Sequence, residues 1–366
     1  MDGYRLSSRL LRQHGLPALR RVRRTLWGAL ALGGAWSLGA CGGSPPTAAL
    51  SPVSAKNKEH VAAALTQVRF SPLHQAELAP TPAPVPVRQA ARMVVLGDSI
   101  SAGWGASDPT LSYANLLHRN ANAVYPTDAQ ADLQHQFGAG LPIHHFAVHG
   151  ETTTGVVQHQ LPLLRTALFG SSTEAAGPVY GHTLVVLTAG GNNLRGELGP
   201  GGSPGRSPAL AGALADLTTI FSFFDDPQRF PDGVSLYFAT VYDMTDGADS
   251  ANMCIRGLRF SGLSDALRKW RRGYMALAES YNEPPHPAHL SDRSFRHAPT
   301  LRVVPVDVHH SFLGHGFHYA NESNHHFNPY DPTLWLNEQD CIHPNNRGHH
   351  ELRRAFYQAI TGRTAS

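Results

Sequence analysis

The chain has 366 residues, 42% of them apolar and 16% charged, with three cysteines and a formal net charge of +3. That apolar fraction excludes a disordered polymer, and the length can bury one large core or two modest ones. The charge does not signal nucleic acid: residues 1–40 carry seven arginines against the single acid Asp2, and subtracting that +6 from +3 leaves about −3 for the remainder.

The first 40 residues read as an export signal. Arg20 to Arg24 form a basic segment, and Leu26 to Ala40 form an apolar stretch too short to span a bilayer comfortably. It ends in Leu38-Gly39-Ala40-Cys41, which resembles a bacterial lipobox. That resemblance implies cleavage before Cys41 and lipid attached to it, giving a protein anchored to the cell envelope, facing the periplasm or the surface, or otherwise secreted. Residues 41–90 are rich in Pro, Ala and Ser and read as a tether, with a short helix around 58–68, leading to a domain over 91–366. With Cys41 lipidated, an even pair remains. A Cys254–Cys341 disulfide is expected in an exported protein, the alternative being two buried thiols. No Cys-x-x-Cys pair argues for zinc.

Beyond residue 90, apolar runs with strand character occur at 92–97, 143–148, 182–189, 235–242 and 301–307. Helix-like stretches separate them at 112–124, 153–168, 209–224 and 263–281, and a last one covers 346–360. Continuous apolar strands alternating with helices predict a parallel sheet covered on both faces. Right-handed crossovers then give an α/β fold, a three-layer α/β/α sandwich around a central, mostly parallel five-stranded sheet. In such folds the functional groups gather at the carboxyl ends of the strands.

Four short segments stand at such positions. Gly97-Asp98-Ser99-Ile100-Ser101 follows the first strand, and "AVHGETTTG" with Gly150 follows the second. "LTAGGNNL" with Asn192 and Asn193 follows the third, and "DCIHPNN" with Asp340 and His343 opens the last helix. Together they resemble the four blocks of the SGNH, or GDSL, hydrolase superfamily of esterases and lipases. The resemblance covers roughly residues 91–362 and implies a flavodoxin-like fold. It also implies Ser99 as nucleophile, His343 as base, Asp340 as the acid that orients it, and an oxyanion hole of Ser99, Gly150 and Asn192. Three positions depart from the pattern: Ile100 stands where the first block is named for Leu, His145 where the second block commonly has Asn, and Asn193 where the third commonly has Asp.

The residue chemistry points the same way. A serine hydroxyl attacks only once a base takes its proton, and a carboxylate fixes that base's tautomer. Gly150 suits close backbone approach, and Asn192 offers an uncharged donor. Pro344 restrains the loop, and a Cys254–Cys341 bridge would staple it beside Asp340. Trp104, Gly103 and Gly105 are expected at the mouth of the site. The segments 193–206, 243–300 and 308–339 are expected to build the substrate walls. Asp98 reads as a loop hydrogen-bonder and Asn193 as a turn residue. A formal Gly-x-Ser-x-Gly match at 201–205 is excluded as a nucleophile elbow, because Pro204 after Ser203 has no N–H for an oxyanion.

Six histidines between His309 and His326 could hold a metal, but they read as a polar surface loop; His349 and His350 read as exposed on the last helix. The expectation is therefore a monomeric serine esterase or lipase without metal or organic cofactor. It would act on a small-molecule, lipid or glycan ester through an acyl-enzyme, with a membrane contact through Cys41 and no nucleic-acid partner. A carbohydrate O-acetylesterase and a non-catalytic binding lipoprotein on the same fold are the alternatives.

Overall fold

The computed structural model describes residues 55–70, 86–170, 177–195, 208–250, 261–282 and 300–365. The export signal, Cys41, Cys254 and the 201–205 motif lie outside them. In chain order the elements are α1 (Ala55–Phe70), β1 (Arg92–Gly97), α2 (Tyr113–His118), α3 (Leu133–Phe137) and β2 (Ile143–His145). Then come α4 (Thr153–Gly155), a π-helical turn (Val156–Gln160) running into α5 (Leu161–Phe169), β3 (Thr183–Thr188), α6 (Gly191–Arg195) and α7 (Pro208–Phe224). The chain closes with β4 (Val234–Ala239), α8 (Leu263–Asn282), β5 (Leu301–Val306), α9 (Val308–Phe312) and α10 (Asn346–Thr361).

The five strands form one parallel sheet in the order β2-β1-β3-β4-β5. Side chains alternate across it. Val94, Leu96, Val185 and Leu187 enter one core with α5, α7 and α8. Met93, Val95, Leu184 and Val186 enter the other with α2, α9 and α10. Both faces are thus apolar, which is why the strands read as unbroken hydrophobic runs. The order reverses at β1, whose two neighbours are β2 and β3. The crevice beyond the carboxyl ends at such a reversal is where open α/β sheets bind ligands.

The segment read as a tether contains more than a spacer. In α1, Val61, Ala64, Leu65 and Val68 recur at helical spacing and pack against the core that α8 helps to build. His60 stacks on Tyr281 with ring centroids 4.2 Å apart and bonds Ser280 at 3.0 Å. Gly273 of α8 keeps the approach open, since a Cβ there would stand 3.3 Å from Leu210 and 3.5 Å from Val68. The folded body therefore begins upstream of residue 91, because an apolar helical face needs a partner surface. Among the described residues no helix is long and apolar enough to cross a membrane.

Candidate active site

β1 ends at Gly97, where φ is +122° and a Cβ would stand 2.0 Å from the Thr188 carbonyl oxygen. Only glycine lets the first and third strands close up here before the chain turns. Its backbone is held by a residue the sequence reading missed. Gln160, fully buried, accepts from Gly97 N–H at 2.8 Å and donates to its carbonyl at 2.7 Å. The polar Gln160 beside Leu161 and Pro162 was the available signal.

The turn after Gly97 sets Ser99 at the sheet edge, 6% exposed. Its Oγ lies 2.7 Å from His343 Nε2, and His343 Nδ1 lies 2.8 Å from Asp340 Oδ2. Asp340 Oδ1 accepts the backbone N–H groups of Ile342 at 2.9 Å and His343 at 3.0 Å. Burial pushes the Asp340 pKa up, but these N–H groups and the His343 ring more than offset that and hold it below the usual carboxylate value. A carboxylate at Oδ2 requires the proton on Nδ1, which leaves Nε2 as the acceptor facing Ser99. Asn345 caps α10 through Gly348 N–H at 3.0 Å and so fixes the start of the helix that follows His343.

Asp98 is a hydrogen-bonder, as expected, and is buried. It accepts Thr188 Oγ1 at 2.7 Å and Ile100 N–H at 3.1 Å, and burial pushes its pKa up to about 6. His145, one of the departures from the family pattern, donates from Nε2 to the Ser101 carbonyl at 3.0 Å and so braces the turn that carries Ser99.

Gly150 has φ +78° with nothing within 4 Å of a Cβ built on it. No protein atom therefore requires glycine here, while its left-handed backbone favours it. Asn192 donates to the Glu151 carbonyl at 2.8 Å, which uses one of the two N–H bonds of its amide. Asn193 is more than a turn residue. It accepts Thr153 N–H and donates to Thr153 Oγ1, both at 3.0 Å, and thereby ties the Gly150 loop to the loop after β3. Among the described residues neither Ser99 N–H nor Gly150 N–H has a protein acceptor.

At the mouth, Trp104 is 49% exposed and stacks on His149 with centroids 3.9 Å apart. Both rings stand within 6 Å of the His343 ring, centroid to centroid. Burial first, then the His343 ring and the Arg195 guanidinium, lower the His149 pKa. His149 had no sequence signal beyond its place before Gly150. Gly105 has φ +92°, and a Cβ there would meet the Pro344 oxygen at 2.1 Å. On the other side of Ser99 opens a cavity of about 360 Å³, bordered by Asn192, Arg195, Met244, Leu263, Leu267 and Ile342. The three segments expected to form the substrate walls each supply part of it.

Other expectations change. His349 and His350 are buried, not exposed. His349 accepts Tyr113 N–H on Nδ1 at 3.2 Å and donates from Nε2 to the Trp104 carbonyl at 2.8 Å. His350 joins Arg353 on Asp128 Oδ2 and stacks on Tyr125. The histidines of 309–326 take separate structural contacts: His309 binds the Val241 carbonyl, His315 stacks on Trp335 and His318 meets the Ser250 carbonyl. Among the described residues no group of three or more His, Cys, Asp or Glu side chains is arranged to hold a metal ion.

The family model described as GDSL-like Lipase/Acylhydrolase matches residues 93–356. The solved structure of an extracellular lipase from Streptomyces rimosus aligns over 74% of this chain and 100% of its own, at 18% identity and a TM-score of 0.38. An α/β hydrolase enzyme from the metagenome of Lake Arreo, Spain, covers 75% of this chain and 96% of its own, at 16% identity and a TM-score of 0.40. An acetyl xylan esterase covers 73% and 99%, at 12% identity and a TM-score of 0.38. No curated protein matches this chain.

Proposed function

The chain belongs to the GDSL-like lipase/acylhydrolase family, and from that premise we propose that it is a serine esterase working through an acyl-enzyme on Ser99. The observation that carries this reading is the unbroken chain from Ser99 Oγ through His343 to Asp340, at 2.7 and 2.8 Å. His343 Nε2 takes the Ser99 proton as Oγ attacks the ester carbonyl. Asp340 holds the imidazole in the required tautomer and stabilises the imidazolium. The oxyanion is held by the N–H groups of Ser99 and Gly150 and by the Asn192 amide. Collapse expels the alcohol with the proton from His343, and water then repeats the sequence to release the acid.

The full chain and its Ser99→Ala variant, assayed on p-nitrophenyl esters, test this. The expected loss is ~10³-fold or more in kcat. Equal activity in both proteins would show that Ser99 is only a turn residue.

A second reading, a carbohydrate O-acetylesterase, draws on the half-exposed Trp104 at the mouth, whose indole face offers an apolar platform for a ring. We further infer export and lipid attachment at Cys41, from the Leu-Gly-Ala-Cys sequence. Metabolic labelling with palmitate checks it: label that persists in Cys41→Ala sinks the idea. For Cys341, a bridge to Cys254 is our proposal. Peptide mass mapping without reductant decides it, since an intact unlinked Cys254 peptide removes the bridge.

A further inference from the structure

The cavity beside Ser99 has a polar mouth and an aliphatic interior. Asn192 and the exposed Arg195 stand at the entrance. Leu263 and Leu267 of α8, with Val308, form the inner wall, each 1% exposed. Three polar side chains of the wall, Thr188, Thr240 and Tyr242, already have partners inside the protein. Thr188 donates to Asp98, Thr240 accepts His309 N–H at 2.8 Å, and the Tyr242 hydroxyl donates to the Ile342 carbonyl. Among the described residues, none of the buried side-chain atoms that lack a partner belongs to this wall. Around Leu263, Leu267 and Val308 the side chains offer a polar ligand no hydrogen-bonding group, and water would find few partners. An apolar cavity of this kind accepts hydrocarbon.

We propose that this cavity is an acyl pocket and that the substrate is an ester of a medium-chain fatty acid; the proposal rests on Ser99 being the nucleophile. An acetyl group would leave nearly all of the space empty. A methylene takes up about as much room as a water molecule, ~30 Å³, so 360 Å³ holds at most about twelve carbons, and a chain of roughly eight to ten fits once the space at the entrance is left to the ester group. The acyl carbonyl would lie at Ser99, the chain would run toward Leu267, and the alcohol would leave past Trp104 and His149. This separates the two readings above, because a deacetylase has no use for the aliphatic wall.

The test is kcat/KM of the full chain on p-nitrophenyl esters from acetate to palmitate, beside Leu267→Trp and Met244→Trp. Wild type is expected to gain about fourfold per added methylene up to eight to ten carbons and to fall beyond. Either tryptophan should shift the optimum to shorter chains and lower the octanoate-to-acetate ratio about tenfold or more. Met244 is only half-buried, so its variant serves if Leu267→Trp fails to fold. An acetate optimum, with the ratio unmoved by either variant, overturns the pocket while leaving Ser99 catalysis intact. A second measurement works without turnover: decanoate, and not acetate, should raise the melting temperature of Ser99→Ala protein, and Met244→Trp in the same background should abolish the shift. If no ester is hydrolysed, the catalytic reading fails, and decanoate binding alone then decides the pocket.

Discussion

Gln160 closes both hydrogen bonds of the Gly97 backbone, at 2.8 and 2.7 Å, from inside the core. β2 ends at His145, and its neighbour β1 ends two residues before Ser99. The π-helical turn that ends at Gln160 brings the amide to the gap. Gln160→Leu should therefore cost about 1–3 kcal/mol, the penalty of a buried N–H left without a partner. Urea unfolding measures it, and a loss below about 0.5 kcal/mol would deny the side chain this role.

Gly97 and Gly150 are both glycines at positive φ, but for different reasons. Gly97→Ala would drive a Cβ to 2.0 Å from Thr188 O, and should prevent soluble folding. Gly150→Ala meets open space and should fold, with strain of about 1–2 kcal/mol from the left-handed backbone. Expression, circular dichroism and kcat compare them; equal solubility of the two variants would contradict the contrast.

Asn192 and Asn193 are adjacent yet divide the work. Asn192→Ala should lower kcat by ~10²–10³ with little change in KM, the scale of one oxyanion donor. Asn193→Ala acts through Thr153 and should be milder, and combining it with Thr153→Ala should be less than additive. Strict additivity would mean the Asn193–Thr153 bonds carry no coupling.

Asp340→Asn keeps the shape of the acid and removes the reason for a proton on Nδ1. A loss of up to ~10⁴ in kcat is expected, with the fold retained. Retention of a tenth or more of wild-type kcat would remove Asp340 from the mechanism.

Asp98 and His349 pull stability in opposite directions with pH. Burial raises Asp98 from 3.8 to about 6, so its contribution is full below pH 4 and is lost as pH rises through 6. The loss is about 3 kcal/mol, and Asp98→Asn should be more stable than wild type at pH 8 but not at pH 4. Burial lowers His349 from 6.5 to about 4, so its contribution is present above pH 6.5 and lost as pH falls toward 4. His349→Gln should flatten that acid limb by about 3 kcal/mol. Denaturant midpoints at pH 8, 6 and 4 check both; pH profiles parallel to wild type would refute them.

The five strands were legible because each is buried on both faces, so unbroken apolar runs such as Met93 to Leu96 announce them without help from periodicity. Ser99, Asp340 and His343, which meet in the structure, were legible because each lies in a short local motif just past a strand or before a helix. Gln160, His149 and the buried state of His349 and His350 were not, since nothing near them in the chain records what they touch. For α1 the helix itself was legible around 58–68, but its packing against α8 was not.

By itself, then, the sequence determined the layered α/β architecture and the chemical types delivered to the sheet edge, through local patterns of burial and turn residues. Only the tertiary structure decided that Ser99, His343 and Asp340 meet in line, that Gln160 holds the end of β1, and that Leu263, Leu267 and Val308 surround one cavity. Those contacts join residues up to 244 positions apart. Hydrogen bonding and packing act through space, and the distance along the chain carries no trace of them.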